Sequence, residues 1–221
     1  MPRTPHTRRR HATRALAGAT LAALAGATRA HAQHPVGAPP AAGDQRLTPR
    51  ALESGVYGGP EVRATRLAGQ GAVLAGARGG WIINHHLLLG VAGYANAGRA
   101  VRAGRALPSG RAADLGVGYG GVDLGWVHRP SRPVHLTLGA LVGAGAVGYR
   151  DPAAPVDGWT DTGDAFFVTE PSAALELNLA PRVRVALGGS YRLVRGARLA
   201  TVRDRDLQGP AGTLMVKFGK F

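Results

Sequence analysis

SAALELNLAPRVRVALGGSYRLV, residues 172–194, reads as two alternating runs joined at Ala180, Pro181 and Arg182. In the first run Ala173, Leu175, Leu177 and Leu179 share a face, opposite Ser172, Ala174, Glu176 and Asn178. In the second, Val183, Val185, Leu187, Tyr191 and Leu193 oppose Arg184, Ser190 and Arg192. Side chains alternate across a strand, so the stretch predicts a hairpin with one apolar and one charged face. A soluble sheet turns such an apolar face toward a core, whereas a membrane barrel turns it toward lipid. The rest of the chain has to decide between them.

Working outward, eight strand-like segments are expected, at about 56–67, 72–83, 87–96, 113–127, 134–149, 165–179, 183–195 and 212–221. Pro60 interrupts the first, whose alternation is poor, as is that of the second. Connections at 84–86, 128–133 and 180–182 are short, and those at 97–112, 150–164 and 196–211 are long, the short 68–71 being the one exception. Short turns on one side and long loops on the other, with an even strand number, are the pattern of an outer-membrane barrel. Several runs reach the 9–11 residues or so that a tilted spanning strand requires. No later stretch has the roughly eighteen consecutive apolar residues of a membrane helix. The expected fold is all-β: an eight-stranded antiparallel up-and-down transmembrane β-barrel over residues 55–221, its interior filled by side chains.

Residues 1–32 read as a cleaved signal peptide. Arg3, Arg8, Arg9, Arg10 and Arg14 precede the apolar run ALAGATLAALAGA (15–27), and Ala30-His31-Ala32 fits the cleavage pattern. Residues 33–54, rich in Pro and Ala, read as a flexible leader. Losing the first 32 residues removes six Arg and no acid, which lowers the formal net charge from +14 to +8. The basicity is therefore partly an export signal, and no nucleic-acid-binding signature accompanies it. The absence of Cys from the chain excludes disulfides and thiolate metal sites.

The polar faces collect Asp123, His135, Glu170, Glu176, Arg184, Arg192 and Lys217, a mixture of signs suited to an ion-pair network filling a lumen. In 113–127, Leu115, Val117 and Tyr119 share one face and Val122, Leu124 and Trp126 the other, which suggests a β-bulge at Gly120-Gly121. Tyr57, Trp81, Tyr94, Tyr119, Trp126, Tyr149, Phe166, Phe167 and Phe218 fall mostly near strand ends, as aromatic girdles do.

At the end of the chain Leu214, Val216 and Phe218 alternate and Phe221 follows out of step. With GGWIIN (79–84), GYGGVDLGW (118–126), FFVTEPSAALELN (166–178), GGSYRLV (188–194) and KFGKF (217–221), this resembles a family of small bacterial outer-membrane β-barrel proteins over about residues 57–221. The resemblance implies the barrel fold, an outer-membrane location, and reading of the terminal aromatics Phe218 and Phe221 by the barrel assembly machinery. It carries no catalytic residues.

Other chemistry was weighed against blander readings. The GxGxxG matches at 116–121 and 143–148 open no helix, so they read as strand glycines. Asp151, Asp157, Asp161 and Asp164 depart from a calcium-loop spacing, and His85-His86 reads as a polar turn. No metal or cofactor is expected. Arg99, Arg102, Arg105 and Arg111 concentrate positive charge in an expected external loop and suit lipopolysaccharide phosphates. Arg203-Asp204-Arg205-Asp206 reads as locally neutralised. The expectation is thus a monomeric barrel with a structural, adhesive or small-ligand role, no sizeable pore and no enzymatic activity, whose partners are outer-membrane lipid and the assembly machinery. Two alternatives stay open: a lipid-modifying barrel enzyme using Ser190 and His135, and a soluble periplasmic barrel enclosing an apolar ligand.

Overall fold

The structure is a computed structural model that describes residues 54–98, 100–106, 110, 112–151 and 159–221. The expected signal peptide and nearly all of the leader lie outside the described residues, as do Arg99, Arg111 and Asp157. The strands are β1 (Ser54–Leu67), β2 (Gln70–Ile83), β3 (Leu87–Ala97), β4 (Arg102–Ala106), β5 (Ala112–His128), β6 (Val134–Arg150), β7 (Trp159–Ala180), β8 (Val183–Arg195) and β9 (Gly209–Lys220). A single-turn helix, α1 (Asp204–Leu207), precedes β9.

Eight of these strands close a ring in the order β1-β2-β3-β5-β6-β7-β8-β9, sealed by antiparallel pairing of β9 with β1 and of β3 with β5. Closure leaves no unpaired edge. The expected eight-stranded barrel is therefore present. The short β4 is an addition, lying outside the ring against the upper end of β5, with Arg102 opposite Asp114. Ala68 (φ 47°) and Gly69 (φ 75°) take the left-handed conformations that a two-residue hairpin turn demands. The β2–β3, β5–β6 and β7–β8 turns and the first strand's start define the near end. The β1–β2 turn and the β3–β5, β6–β7 and β8–β9 connections define the far end.

The opening hairpin turns its apolar face outward. Leu175, Leu177, Leu179, Leu187, Tyr191 and Leu193 are exposed, whereas Glu176, Ser190 and Arg192 are buried. The same outward belt continues through Val91, Val122, Leu124, Val134, Leu138, Val142 and Leu214. A water-facing surface does not carry such a continuous apolar band. Trp81, Trp126 and Phe218 stand on it toward the near end, and Phe167 and Tyr191 toward the far end.

Three expectations are corrected. β5 has no bulge at Gly120-Gly121, because its register with both β3 and β6 runs on without a shift. The change of apolar parity arises because Leu115, Val117 and Tyr119 face inward into an apolar part of the lumen, while Val122, Leu124 and Trp126 face out. Among the nine girdle candidates, Tyr57, Tyr94, Tyr119, Tyr149 and Phe166 are buried inside the barrel. The 150–164 loop is shorter than expected, since β7 begins at Trp159 and pairs with β6 from Arg150 onward.

The far mouth is covered. Val101 and Ala103 at the start of β4, and Ala197, Leu199, Val202 and Leu207 of the segment between β8 and β9, pack with Leu67, Leu74, Leu115, Val147, Tyr149, Phe166 and Val194 of the wall. The 196–208 segment is pinned along its length. Asp204 Oδ1 accepts from the Ala197 amide at 2.7 Å, Asp206 Oδ2 from the Arg203 amide at 2.9 Å, and Asp164 Oδ2 from the Arg198 amide at 2.6 Å. The Arg-Asp-Arg-Asp stretch is thus more than a neutralised loop: both of its carboxylates fix backbone, and Arg205 lies 3.9 Å from Asp206 at the surface. Thr201 donates to the Ala103 carbonyl at 2.8 Å, and the Ala68 amide donates to the Asp206 carbonyl at 2.7 Å.

Candidate functional site

Inward positions at mid-height carry the polar side chains. β1 contributes Glu61 and Arg63, β2 Arg78, β3 Tyr94, β5 Tyr119 and Asp123, β7 Glu170, and β8 Ser190 and Arg192. All but the slightly more open Arg78 are buried. Arg63 is the hub. Its Nε lies 2.9 Å from Glu61 Oε1, its Nη1 pairs with Glu170 and donates to the Tyr119 hydroxyl at 3.2 Å, and its guanidinium lies 3.6 Å from the centre of the Tyr94 ring. Tyr119 donates to Glu170 Oε2 at 2.7 Å, Ser190 also donates to Glu170, and Tyr94 donates to Glu61 Oε2 at 2.9 Å. Arg78 reaches Glu61 at 3.2 Å and Asp123 at 3.3 Å.

A second cluster lies toward the near end. Glu176 pairs with Lys217, accepts from Thr137 Oγ1 at 2.7 Å, and has His135 Nε2 at 3.4 Å. Tyr57 joins the two clusters, donating to Asp123 Oδ2 at 3.5 Å with the Lys217 ammonium 5.2 Å from its ring centre. Glu61, Asp123 and Glu170 pair with Arg63 and Arg78, and Glu176 pairs with Lys217, so each of these four carboxylates has a cation beside it. That matters because an unmatched charge out of water costs several kcal/mol by order of magnitude.

Of the residues singled out in the sequence, Asp123, Glu170, Glu176 and Lys217 meet opposite charges here, and His135 lies beside the Glu176 carboxylate. Two positions differ. Arg192 is fully buried, but among the described residues its guanidinium meets the Leu207 carbonyl at 2.7 Å, the Tyr119 hydroxyl at 3.4 Å and Thr65 at 3.5 Å, with no carboxylate partner. Arg184 sits half-buried at the near mouth, 3.8 Å over the Phe221 ring. Phe221 lines that mouth with the cluster of Tyr57, Ile82, Leu88, Val127, Ala186 and Met215, whereas Phe218 faces outward. Sequence reading missed Glu61, Arg63 and Arg78. The alternation of Glu61, Arg63 and Thr65 was present, but Pro60 and the small outward residues obscured its period.

Ser190 and His135 do not form a hydrolase pair. Ser190 is bonded to Glu170, whereas His135 stands beside Glu176 with its Nε2 3.4 Å away and its Nδ1 3.2 Å from the Arg132 carbonyl. Glu176 lies opposite Ala186, four residues from Ser190 on β8, or roughly 13 Å along a strand. His86 is held in its turn by the Val127 carbonyl at 2.9 Å and stacks on Trp126 at 5.2 Å. Among the described residues no three potential metal ligands cluster. Of the expected arginine loop, Arg102 is exposed, with its amide and carbonyl bonded to Gln70 at 3.1 and 2.9 Å. Arg105 lies in β4.

The fold has counterparts among solved structures. Neisserial surface protein A aligns with 76% of this chain and 97% of its own, at 13% identity and a TM-score of 0.51. The N-terminal β-barrel domain of Pseudomonas aeruginosa OprF covers 76% and 98% at 12% identity, TM-score 0.43. The attachment invasion locus protein Ail of Yersinia pestis covers 75% and 95% at 16% identity, TM-score 0.40. The likeness to the Neisserial protein is one of fold. No protein-family model and no curated protein matches the chain in sequence.

Proposed function

We propose that this chain is an integral outer-membrane β-barrel whose lumen is structural and whose outward role is carried by its far-end loops. The inversion of polarity across the wall carries the reading: Leu175, Leu187 and Leu214 face out while Glu61, Arg63 and Glu170 pair inside. A soluble barrel enclosing an apolar ligand is disfavoured, because charged and aromatic side chains already occupy its interior. On this reading the near end faces the periplasm, and Phe218 and Phe221 serve recognition by the assembly machinery. Arg99, Arg102, Arg105 and Arg111 then meet lipopolysaccharide phosphates or another anionic surface outside, giving an adhesive or structural role to a monomer. The separation of Ser190 from His135 supports a non-enzymatic reading.

The test is fractionation of cells expressing the full chain. The protein is expected in the outer-membrane fraction, resistant to alkaline carbonate, with a gel mobility that changes on boiling. Release by carbonate or salt alone would overturn the proposal.

A further inference from the structure

At the near end, β8, β9 and β1 frame a groove of about 510 Å³ on the outer wall, lined by Val56, Arg182, Val183, Phe218, Gly219 and Lys220. Its floor is apolar. Val183 lies opposite Phe218, and Val56 and Phe218 are 55% and 53% exposed. Its rim is cationic. Lys220 lies opposite Val56, so it shares the outward face with Val56 and Phe218, while Arg182 occupies the β7–β8 turn and is tied back by the Gly219 amide at 3.1 Å. Arg184, the other cation nearby, is turned inward over Phe221.

Among the described residues no Asp or Glu side chain stands at the rim. The near-end turns carry Arg129, Arg132 and Arg182 and no Asp or Glu among the described residues. Glu176, the acidic side chain of β7 toward this end, is buried and paired with Lys217. The far end differs, with Asp114, Asp164, Asp204 and Asp206 among its arginines. An apolar floor that ends in the two cations Arg182 and Lys220 at a membrane interface suits an acyl chain attached to an anionic phosphodiester.

We infer that this groove binds an anionic phospholipid of the periplasmic leaflet, its acyl chain against Val56, Val183 and Phe218 and its headgroup phosphate between Arg182 and Lys220. The inference rests on the membrane reading above. Cations at an anionic surface each favour the bound state by about fivefold.

The test uses the full chain, folded in detergent and exchanged into mixed micelles with equal phosphatidylglycerol and phosphatidylcholine, with retained lipid read by native mass spectrometry. One phosphatidylglycerol is expected to be held in preference to phosphatidylcholine. Arg182→Gln and Lys220→Gln are each expected to lower that preference about fivefold, Arg182→Lys to keep most of it, and the Arg129→Gln/Arg132→Gln pair to leave it unchanged. Absence of a preference in the wild type overturns the inference. So does an equal loss in the Arg129/Arg132 pair, which would indicate a diffuse field, or displacement of the lipid by soluble glycerol phosphate, which would indicate an anion site without lipid. Gel mobility before and after boiling is read on the same proteins reconstituted into vesicles. A wild type that does not insert fails the membrane reading itself, whereas one that inserts without a preference fails only the groove.

Discussion

Two levels of one lumen have opposite chemistry. At mid-height, inward positions hold Glu61, Arg63, Arg78, Asp123 and Glu170 in one connected set of ion pairs. Toward the far end the same strands present Leu67, Leu74, Leu115, Val147, Phe166 and Val194, and two loops add further apolar side chains above them. Tyr94 and Tyr119 belong to both levels, with rings packed in the apolar cluster and hydroxyls bonded to Glu61 and Glu170. The comparison teaches that a barrel interior is not polar as a class. Where side chains pair with one another the filling is ionic, and where loops fold over the mouth it is a small hydrophobic core of the kind found in soluble proteins. The two fillings fail differently when a group is removed, because lost charge leaves an unmatched partner and lost hydrocarbon leaves a void.

The largest effect is expected from the ionic level. Glu170→Ala deprives Arg63, Tyr119 and Ser190 of a shared acceptor and leaves Arg63 with excess charge. A loss of about 4 kcal/mol is expected, read from the urea midpoint of unfolding in vesicles. Joint replacement of Arg63 and Glu170 by Met should cost less than Glu170→Ala alone, since no buried charge is then stranded by that pair. Next comes the apolar level: Leu115→Ala, at a side chain that is 1% exposed, should cost about 3 kcal/mol by the same measurement. The smallest is Asp204→Ala, which removes the acceptor of the Ala197 amide. It should cost about 1 kcal/mol and speed hydrogen exchange at Ala197. The mid-lumen pairs should persist, and the reconstituted barrel should show no new ion conductance. A current appearing in Asp204→Ala would break the comparison, by making the cap and not the ionic filling the seal.

Legibility in the sequence followed the contrast between faces. The 172–194 hairpin was readable because Leu175, Leu177 and Leu187 alternate with Glu176, Ser190 and Arg192, so in and out differ in kind. β5 was misread because Leu115 and Val117 face the capped lumen while Val122 and Leu124 face outward: both sides are apolar at different heights, and period alone cannot separate them. β1 carries the hub of the network yet was the weakest prediction, since Gly58, Gly59, Pro60 and Ala64 blur its pattern. The glycines had a second role that composition hides. A Cβ on Gly145 would come within 2.4 Å of the Phe166 ring, so this position gives up its own side chain to admit a neighbour's, whereas one on Gly76 would first meet the Gly93 carbonyl oxygen at 2.0 Å. The cap was invisible because its contacts join Thr201 to Ala103 and Arg192 to Leu207, partners that no local periodicity relates.

The single-turn helix α1 also has a mechanical consequence. Its last carbonyl, on Leu207, is held by Arg192 of β8, and the Asp206 carbonyl by the Ala68 amide just past β1. Those two strands flank β9, whose pairing with β1 is the seam where the first and last strands meet. The helix therefore lies as a clasp across that seam. The bond from Ala68 to Asp206 can form only once the far ends of β1 and β9 have come together, and a seam that unzips from the far end pulls on that bond early. That bond is a local reporter of closure, and its strength adds to the barrier against reopening.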